Sequence, residues 1–248
     1  MALPGGRRTA IAVAILAAVL ALAALLLTHD SGAPGSIAAR PDDNPFYLEG
    51  TVVVLGVAPP NGGRPEESNS SLQWWYQRPG VWRWQLDVEP AEHDPTTILG
   101  VADGKNSYLY KSDSNTYTRV SLKDYSSPSL PVSVLLGPID LAQLVQRWEA
   151  QDTTVRGGGA GRYLNRDAQV IEYSPTWRAS GPGGDSSGGI GRIWIDSDSG
   201  LIVRNLVDGG PTSQYVDARV TVLELQPRFE PATFRFDAPS GARQVTEN

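Results

Sequence analysis

Short runs of residues with strand character, separated by turn residues, dominate the chain from about residue 46 onward. The clearest pair is 71–77 and 81–88, which flanks the turn signal Arg78-Pro79-Gly80 and predicts a β-hairpin. The predicted strands are 47–57, 71–77, 81–88, 98–101, 107–110, 116–122, 168–173, 190–195, 201–207, 215–225 and 233–237. Strands joined by short turns are antiparallel, so the sequence predicts a mainly β domain.

One segment has helical rather than strand periodicity. In residues 138–150, apolar side chains recur at spacings of three: Ile139, Ala142, Val145 and Trp148. This spacing predicts an amphipathic helix, with Pro138 in its first turn.

Three further stretches do not fit the strand pattern. Residues 130–136 are apolar but interrupted by proline, which leaves two interpretations: a core strand, or an apolar loop beside a pocket. The glycine-rich stretches 157–161 and 180–191 are predicted to be mobile loops, and neither has the pattern of a phosphate-binding loop.

The N-terminal region contains eighteen consecutive apolar residues, 10–27, preceded by Arg7 and Arg8. As a helix, this segment extends about 27 Å, close to the thickness of a hydrocarbon core, and it is longer than an ordinary secretory signal. An uncleaved anchor is therefore favoured over a cleaved signal, with the N-terminus inside and the domain extracytoplasmic. Cleavage would make the domain a secreted one.

The chain is thus divided into four parts. They are a cytoplasmic tail at 1–9, a transmembrane anchor or signal at 10–27, a linker rich in proline and glycine at 28–45, and one domain at 46–248.

Composition argues against several classes of protein. Cysteine is absent, which removes disulfides, thiolate metal sites and the cysteine of a lipoprotein signal. The net charge of the chain is −6, and without the two N-terminal arginines it is −8. A negative domain argues against nucleic acid as a partner.

Catalytic and metal sites have few candidate residues. The two histidines are His29, beside the apolar segment, and His93, in a predicted loop, and no nucleophile elbow is present. The acidic cluster from Asp196 to Gly200 is better explained by a hairpin turn than by a calcium loop. We therefore expect no enzyme, no metal and no cofactor, although a carboxylate-pair glycosidase is not excluded by composition.

Aromatic residues are concentrated in the predicted hairpin. Because side chains alternate along a strand, one face of 81–88 carries Trp82, Trp84 and Leu86. One face of 71–77 carries Trp74 and Tyr76. Three interpretations remain open: a filled core, an apolar cavity lined by rings, or a platform for sugars.

The order of several motifs resembles a known superfamily. The run Trp75-Tyr76-Gln77-Arg78-Pro79-Gly80-Val81-Trp82-Arg83-Trp84 is followed by Asp103-Gly104-Lys105, Tyr108-Leu109-Tyr110, Asn165-Arg166-Asp167, Ile193-Trp194-Ile195-Asp196 and Phe234-Arg235-Phe236. This order is similar to that of the periplasmic lipoprotein carrier LolA and its relatives, which include the RseB and MucB stress sensors. The resemblance covers roughly residues 47–245.

The resemblance implies a strongly curved, incomplete antiparallel barrel with a lid of helices and a loop. Its concave face would hold acyl chains. The ligand-binding residues implied are Trp74, Trp82, Trp84, Leu86, Tyr108, Tyr110 and, in the lid loop, Leu130, Val132, Leu135 and Leu136. Arg78 matches the arginine that latches the lid in carriers.

The expected function is therefore a membrane-tethered, extracytoplasmic binder of lipid or lipoprotein acyl chains, with an envelope protein as a possible partner. Two alternatives stay open: an RseB-like sensor that acts through protein–protein contacts, and a carbohydrate-binding module. The chain departs from the carriers in two respects, because a linker replaces their long first helix and because it has an anchor where they are soluble.

Overall fold

The structure is a computed structural model that describes residues 44–55, 67–90, 94–124, 136–138, 144–146, 148, 153–174, 189–208 and 215–246. Among these residues, no helix is long and apolar enough to cross a membrane. The predicted tail and anchor, residues 1–27, lie outside the described residues.

In the described part of the chain, thirteen strands form one sheet. Two short 3-10 helices, η1 (Leu122–Asp124) and η2 (Pro231–Phe234), accompany it. The strands are β1 (Phe46–Leu55), β2 (Glu67–Arg78), β3 (Val81–Pro90), β4 (Thr96–Asp103), β5 (Asn106–Lys111), β6 (Thr116–Ser121), β7 (Gly137–Pro138), β8 (Thr154–Tyr163), β9 (Arg166–Ser174), β10 (Ile190–Asp196), β11 (Leu201–Asp208), β12 (Tyr215–Leu225) and β13 (Arg243–Gln244). The prediction of a mainly β fold is confirmed.

The strand order is β13-β6-β5-β4-β3-β2-β1-β12-β11-β10-β9-β8, with β7 paired to β11. All of these pairings are antiparallel except that of β13 with β6. The first strand thus pairs with the twelfth and joins two meanders, β2–β6 and β8–β12, into one open, curved sheet.

The inner face of this sheet forms one apolar core that includes both meanders. Along β1 the buried positions alternate with less buried ones, and Leu48, Val52 and Val54 are all nearly inaccessible. They belong to the same cluster as Trp84 of β3 and Ile193 of β10. Because residues from opposite halves share one core, the curvature folds the inner face onto itself.

Glycine makes room for two large rings on this inner face. A Cβ added to Gly100 of β4 would lie 2.4 Å from the Cε2 and Nε1 atoms of Trp84. A Cβ added to Gly191 of β10 would lie 2.1 Å from Cζ of Tyr173. In both cases the ring covers the backbone of the neighbouring strand, which only glycine permits.

The C-terminal segment covers the outer face of β3–β6. Phe236 stacks on Tyr108, with ring centroids 4.8 Å apart, and also contacts Tyr117. Beneath this layer Val101 is fully buried, although its register places it on the opposite face from Gly100. The strand predicted at 233–237 is wrong, because η2 and the extended residues after it take its place as this cover.

Other local predictions also require correction. The stretch 157–161 is not a loop but the middle of β8. The predicted loop 180–191 and the predicted strand 190–195 overlap at Ile190 and Gly191, and these two residues belong to strand β10. Pro138 lies in β7 and not in the first turn of a helix. The helix itself is described at residues 144–146 and 148, and Ile139 and Ala142 lie outside the described residues.

A substitution of Gly100 by alanine tests the close approach of Trp84. The methyl group would overlap the indole, and overpacking of this kind costs about 1–3 kcal/mol of unfolding free energy. Gly157→Ala is the control, because nothing lies within 4 Å of a Cβ added there. Urea unfolding followed by circular dichroism should show a clear loss for Gly100→Ala and almost none for Gly157→Ala. Equal stabilities would contradict the placement of the ring.

Candidate functional site

Three tryptophan side chains form one patch on the inner face of β2 and β3. Trp74 is directly opposite Trp84, and Trp82 is two residues from Trp84 on the same strand and opposite Tyr76. Directly opposed residues have Cβ atoms about 5 Å apart, so these rings are neighbours. We call Trp74, Trp82 and Trp84 the tryptophan patch.

The rings of the patch are enclosed by protein. Trp74, Trp84 and Trp82 are 0%, 2% and 4% exposed. Phe46 of β1 contacts the patch edge to face, with its centroid 5.7 Å from that of Trp74, and it stacks on Tyr76. The sequence prediction that the hairpin rings share an inner, apolar face therefore agrees with the structure, and the face is covered rather than open.

Part of the cover comes from residue 136 and the strand that follows it. Leu136 is fully buried, and its Cδ1 atom lies 2.8 Å from the position that a Cβ on Gly50 would take. Gly137 lies against the benzene edge of Trp74, since its own added Cβ would lie 2.5 Å from Cζ3. Leu136 and Gly137 therefore hold the segment 136–138 against the patch. We call residues 136–138 the crossing segment.

The helical residues after this segment cover the other half of the inner face. Leu144 and Trp148 are each 7% exposed and belong to the core. Trp148 stacks on Tyr173 of β9, with centroids 4.1 Å apart, and the Tyr173 hydroxyl donates to Oδ1 of Asn205 at 3.2 Å. Burial raises the pKa of Tyr173, so this hydroxyl keeps its proton.

The patch also contains buried donors that the protein does not satisfy. The Nε1 atoms of Trp74, Trp82 and Trp84 are inaccessible to solvent, and within the described structure none has a hydrogen-bond partner. An unsatisfied buried donor costs about 1–3 kcal/mol, and most buried polar groups in folded proteins are paired.

The predicted ligand-binding residues do not all meet here. Leu86 lies on the inner face, opposite Leu72, and packs against the core. Tyr108 and Tyr110 pair with Val101 and Leu99 and therefore lie on the opposite, outer face from Trp82 and Trp84. Tyr108 contacts Phe236 there, and the Tyr110 hydroxyl donates to Asn115 at 3.2 Å.

Of the predicted lid-loop residues, Leu136 lies in the core, and its role in ligand binding stays a prediction. Leu130, Val132 and Leu135 lie outside the described residues.

Arg78 lies at the turn between β2 and β3 and is exposed. With Asp103 and Val81 it lines a depression of about 370 Å³, whose other side is formed by the C-terminal segment, including Phe229 and Phe234. The lid-latch role of Arg78 stays a prediction, because the loop that it would hold falls largely outside the described residues.

A charged cluster stabilises the outer face of β11 and β12. Asp217 is 1% exposed, and it accepts hydrogen bonds from Arg204 at 3.2 and 3.1 Å, from Arg219, and from the Tyr215 hydroxyl at 3.2 Å. Burial opposes its charge, but the hydrogen bonds from the two arginines outweigh it and lower the pKa of Asp217. Arg204 also lies 4.7 Å from the ring centroid of Trp194. This cluster is missing from the sequence predictions.

The predicted turn after β10 is confirmed. The Gly200 amide donates to the carbonyl of Asp196 at 2.8 Å, and the Asp196 carboxylate accepts from Ser199 and from Arg166. These donors compensate for its burial and lower its pKa. Across the described ranges, no group of three or more acidic or histidine side chains could hold a metal ion.

Three aromatic residues of the inner face were missed by the sequence analysis: Phe46, Trp148 as a partner of β9, and Tyr173. Phe46 could have been found, since it continues the alternation of β1 by one residue. The stack of Trp148 on Tyr173 had no local signal, because it joins two distant segments.

No protein-family model matches the chain, and no curated protein sequence matches it. Similar solved structures include MucB, with 17% identity and a TM-score of 0.44 over 88% of this chain and 64% of that chain. An uncharacterized conserved protein from Thermus thermophilus has 12% identity and a TM-score of 0.41, over 83% and 91% of the two chains. The Mycobacterium tuberculosis lipoprotein LppX has 14% identity and a TM-score of 0.35, over 74% and 88%.

None of these neighbours is more than 17% identical to the chain. Their TM-scores are below 0.5, so the likeness assigns no ligand or partner to this chain.

Replacing Asp217 by asparagine should destabilise the domain at neutral pH. The two arginines would lose their shared carboxylate, which should lower the free energy of unfolding by about 1–3 kcal/mol. The cost is no larger because both arginines are partly exposed, and water compensates part of the loss. Asp198→Asn, at a carboxylate that is 79% exposed, should change stability little.

The effect should also depend on pH. The folded-state pKa of Asp217 lies below its unfolded value of about 3.9, so its contribution is present above that pH and is lost as pH falls through the folded pKa. Urea unfolding from pH 7 to pH 3 should show the difference between wild type and Asp217→Asn narrowing as the solution becomes acidic. A difference that stays constant with pH would contradict a charged Asp217.

Proposed function

We propose that the domain binds acyl chains on its concave face and is held at the outer surface of a membrane by residues 10–27. The observation that carries this proposal is the tryptophan patch, a broad apolar surface that is covered by Leu136 and the two-residue strand β7. Carbon–hydrogen surface and aromatic rings suit a hydrocarbon chain, which needs burial and no specific charge.

The free energy of burying an acyl chain favours replacement of the Leu136 cover by the ligand. Burial of an acyl chain is favourable by about 0.8 kcal/mol per CH₂ group, so a chain of a dozen carbons can replace the contacts of Leu136 and still retain net affinity. In this mechanism the segment at Leu136 covers the patch when no ligand is bound, and it moves aside when a chain enters.

The tether sets what such a domain can do. The N-terminus of the chain lies inside the cell, and residues 28–45 form a linker. The curved domain therefore stays near the membrane surface, where it can extract or present lipid. Exchange with a second envelope protein would then deliver the ligand, and the acidic domain makes apolar contact the dominant attraction.

A sensor that acts through protein contacts is the second candidate function. The observation that favours it is the filled interior, because Leu136, Leu144 and Trp148 already occupy the concave face. In this alternative the concave face stays covered, and a membrane protein partner binds the outer surface of the domain.

Removing the Leu136 side chain separates the two functions. Leu136→Ala leaves a cavity against the patch, which should cost about 2–5 kcal/mol of stability. If acyl chains displace this residue, the variant should bind a fluorescent fatty acid at least fivefold more tightly. The measurement is a titration of the full chain in a fluorinated surfactant, together with native mass spectrometry for co-purified lipid.

The matched control is Val101→Ala. Val101 is also fully buried, but it lies on the outer face beneath the C-terminal segment, so its loss should lower stability without raising affinity. Absence of lipid from wild type and both variants, with no fatty acid binding, would reject the lipid proposal. Capture of a membrane protein without lipid would then favour the sensor.

The predicted latch is tested through kinetics. Arg78→Ala should speed the release of bound acyl chains severalfold, because the lid would lose its guanidinium partner, while equilibrium unfolding changes little for this exposed side chain. Stopped-flow transfer of the fluorescent fatty acid to vesicles measures the rate. Arg235→Ala, on the other side of the same depression, is the control, and unchanged release from Arg78→Ala would reject the latch.

A further inference from the structure

The tryptophan patch leaves three indole N–H groups buried without an acceptor in the described structure. Two tyrosine hydroxyls elsewhere in the fold do have acceptors: the buried Tyr173 donates to Asn205 at 3.2 Å, and the half-buried Tyr163 donates to the carbonyl of Val220 at 3.0 Å. One orphan donor is an ordinary exception, but three in one contiguous patch are unusual.

The three tryptophans that carry these donors are neighbours on the inner face. Trp74 and Trp84 are directly opposed, and Trp82 is the next inner-face residue along β3. The Nε1 edge of Trp84 lies over Gly100, where no side chain intervenes between indole and backbone. Phenylalanine would fill a purely hydrocarbon-binding face at no cost in unsatisfied donors.

We infer that the ligand carries neutral carbonyl acceptors beside its hydrocarbon chains, and that the indole N–H groups of the patch bind them. The ligand class is thus an acyl lipid, with ester or amide carbonyls, and not an alkyl chain alone. This inference rests on the proposed function and specifies which part of the lipid the patch holds.

Charge supports a neutral acceptor over a phosphate. Among the described residues, the buried ionised side chains are Asp196 and Asp217, and each is paired with arginine. Asp217 lies on the outer face and Asp196 lies at the turn after β10, so neither of these buried charges lies in the patch. A charged headgroup would therefore lose its hydration without a counterion, whereas a carbonyl needs only the donors that are present.

The test compares lipids that differ only in their linkage. Phosphatidylcholines with two ester-linked chains and with two ether-linked chains of equal length are titrated into the full chain in a fluorinated surfactant. Ether oxygens are weaker acceptors than carbonyls, and one neutral hydrogen bond corresponds to about fivefold in Kd. We expect the ester lipid to bind at least tenfold more tightly. A second comparison, of an N-acyl ethanolamine with the matched alkyl ether, shows whether an amide carbonyl is bound as well as an ester carbonyl.

Trp84→Phe removes one donor and keeps an aromatic ring. The readout is the ratio of ester to ether affinity, since loss of packing affects both lipids alike, and this ratio should fall about fivefold. Trp75→Phe is the matched control, because Trp75 lies on the outer face beside Tyr47 and should leave the ratio unchanged. Thermal unfolding of each variant shows that it is folded.

Nuclear magnetic resonance of the wild-type chain gives a second test that needs no substitution. The indole N–H signals of the patch should move downfield when the ester lipid binds and much less with the ether lipid. Equal affinities and equal shifts for the two lipids would overturn the inference while leaving acyl-chain binding intact. Binding of neither lipid would instead remove the proposed function.

Discussion

The antiparallel ladder between β1 and β12 is the constraint on which the interior depends. Through this ladder, β1 joins the meander β2–β6 to the last strand of the meander β8–β12, so both inner faces turn toward a common core. The register of this ladder shifts between Glu49 and Gly50, and Gly50 has no side chain where Leu136 enters. A larger residue there would meet both the carbonyl of Arg219 and the Leu136 side chain, so the crossing segment could not seat.

A wide apolar face is unfavourable when it is exposed to water. One solution is to fill it permanently, and another is to cover it with a segment whose contacts a ligand can replace. Under the proposed function, the segment at Leu136 would be the second solution, and it reaches the patch by a two-residue strand and a glycine contact. The unsatisfied indole donors lie in the patch beneath this segment, where they destabilise the closed conformation. A less stable closed conformation lowers the free energy needed to move the segment away from the patch.

How much the sequence could predict depended on side-chain alternation. The β2–β3 hairpin was predictable, because apolar rings recur at every second residue on either side of a proline-glycine turn. Strand β8 was not, because glycine carries no pattern and pairing with β9 alone makes it extended. Phe234 and Phe236 alternate as in a strand, yet they belong to the segment that covers the outer face. The face on which Tyr108 lies follows from its register with Val101, which the local sequence does not reveal.

The buried charged groups of the described residues lie outside the apolar core. Asp217 and its arginines lie on the outer face, where they stabilise the β11–β12 ladder with no charge directed at the core. The buried Asp196 is likewise paired with Arg166 at its turn. Since ionised groups bind tightly only where a counterion or hydration remains, a lipid held on the inner face would keep its charged headgroup at the rim. Discrimination among lipids would then come from chain length and from the carbonyl region.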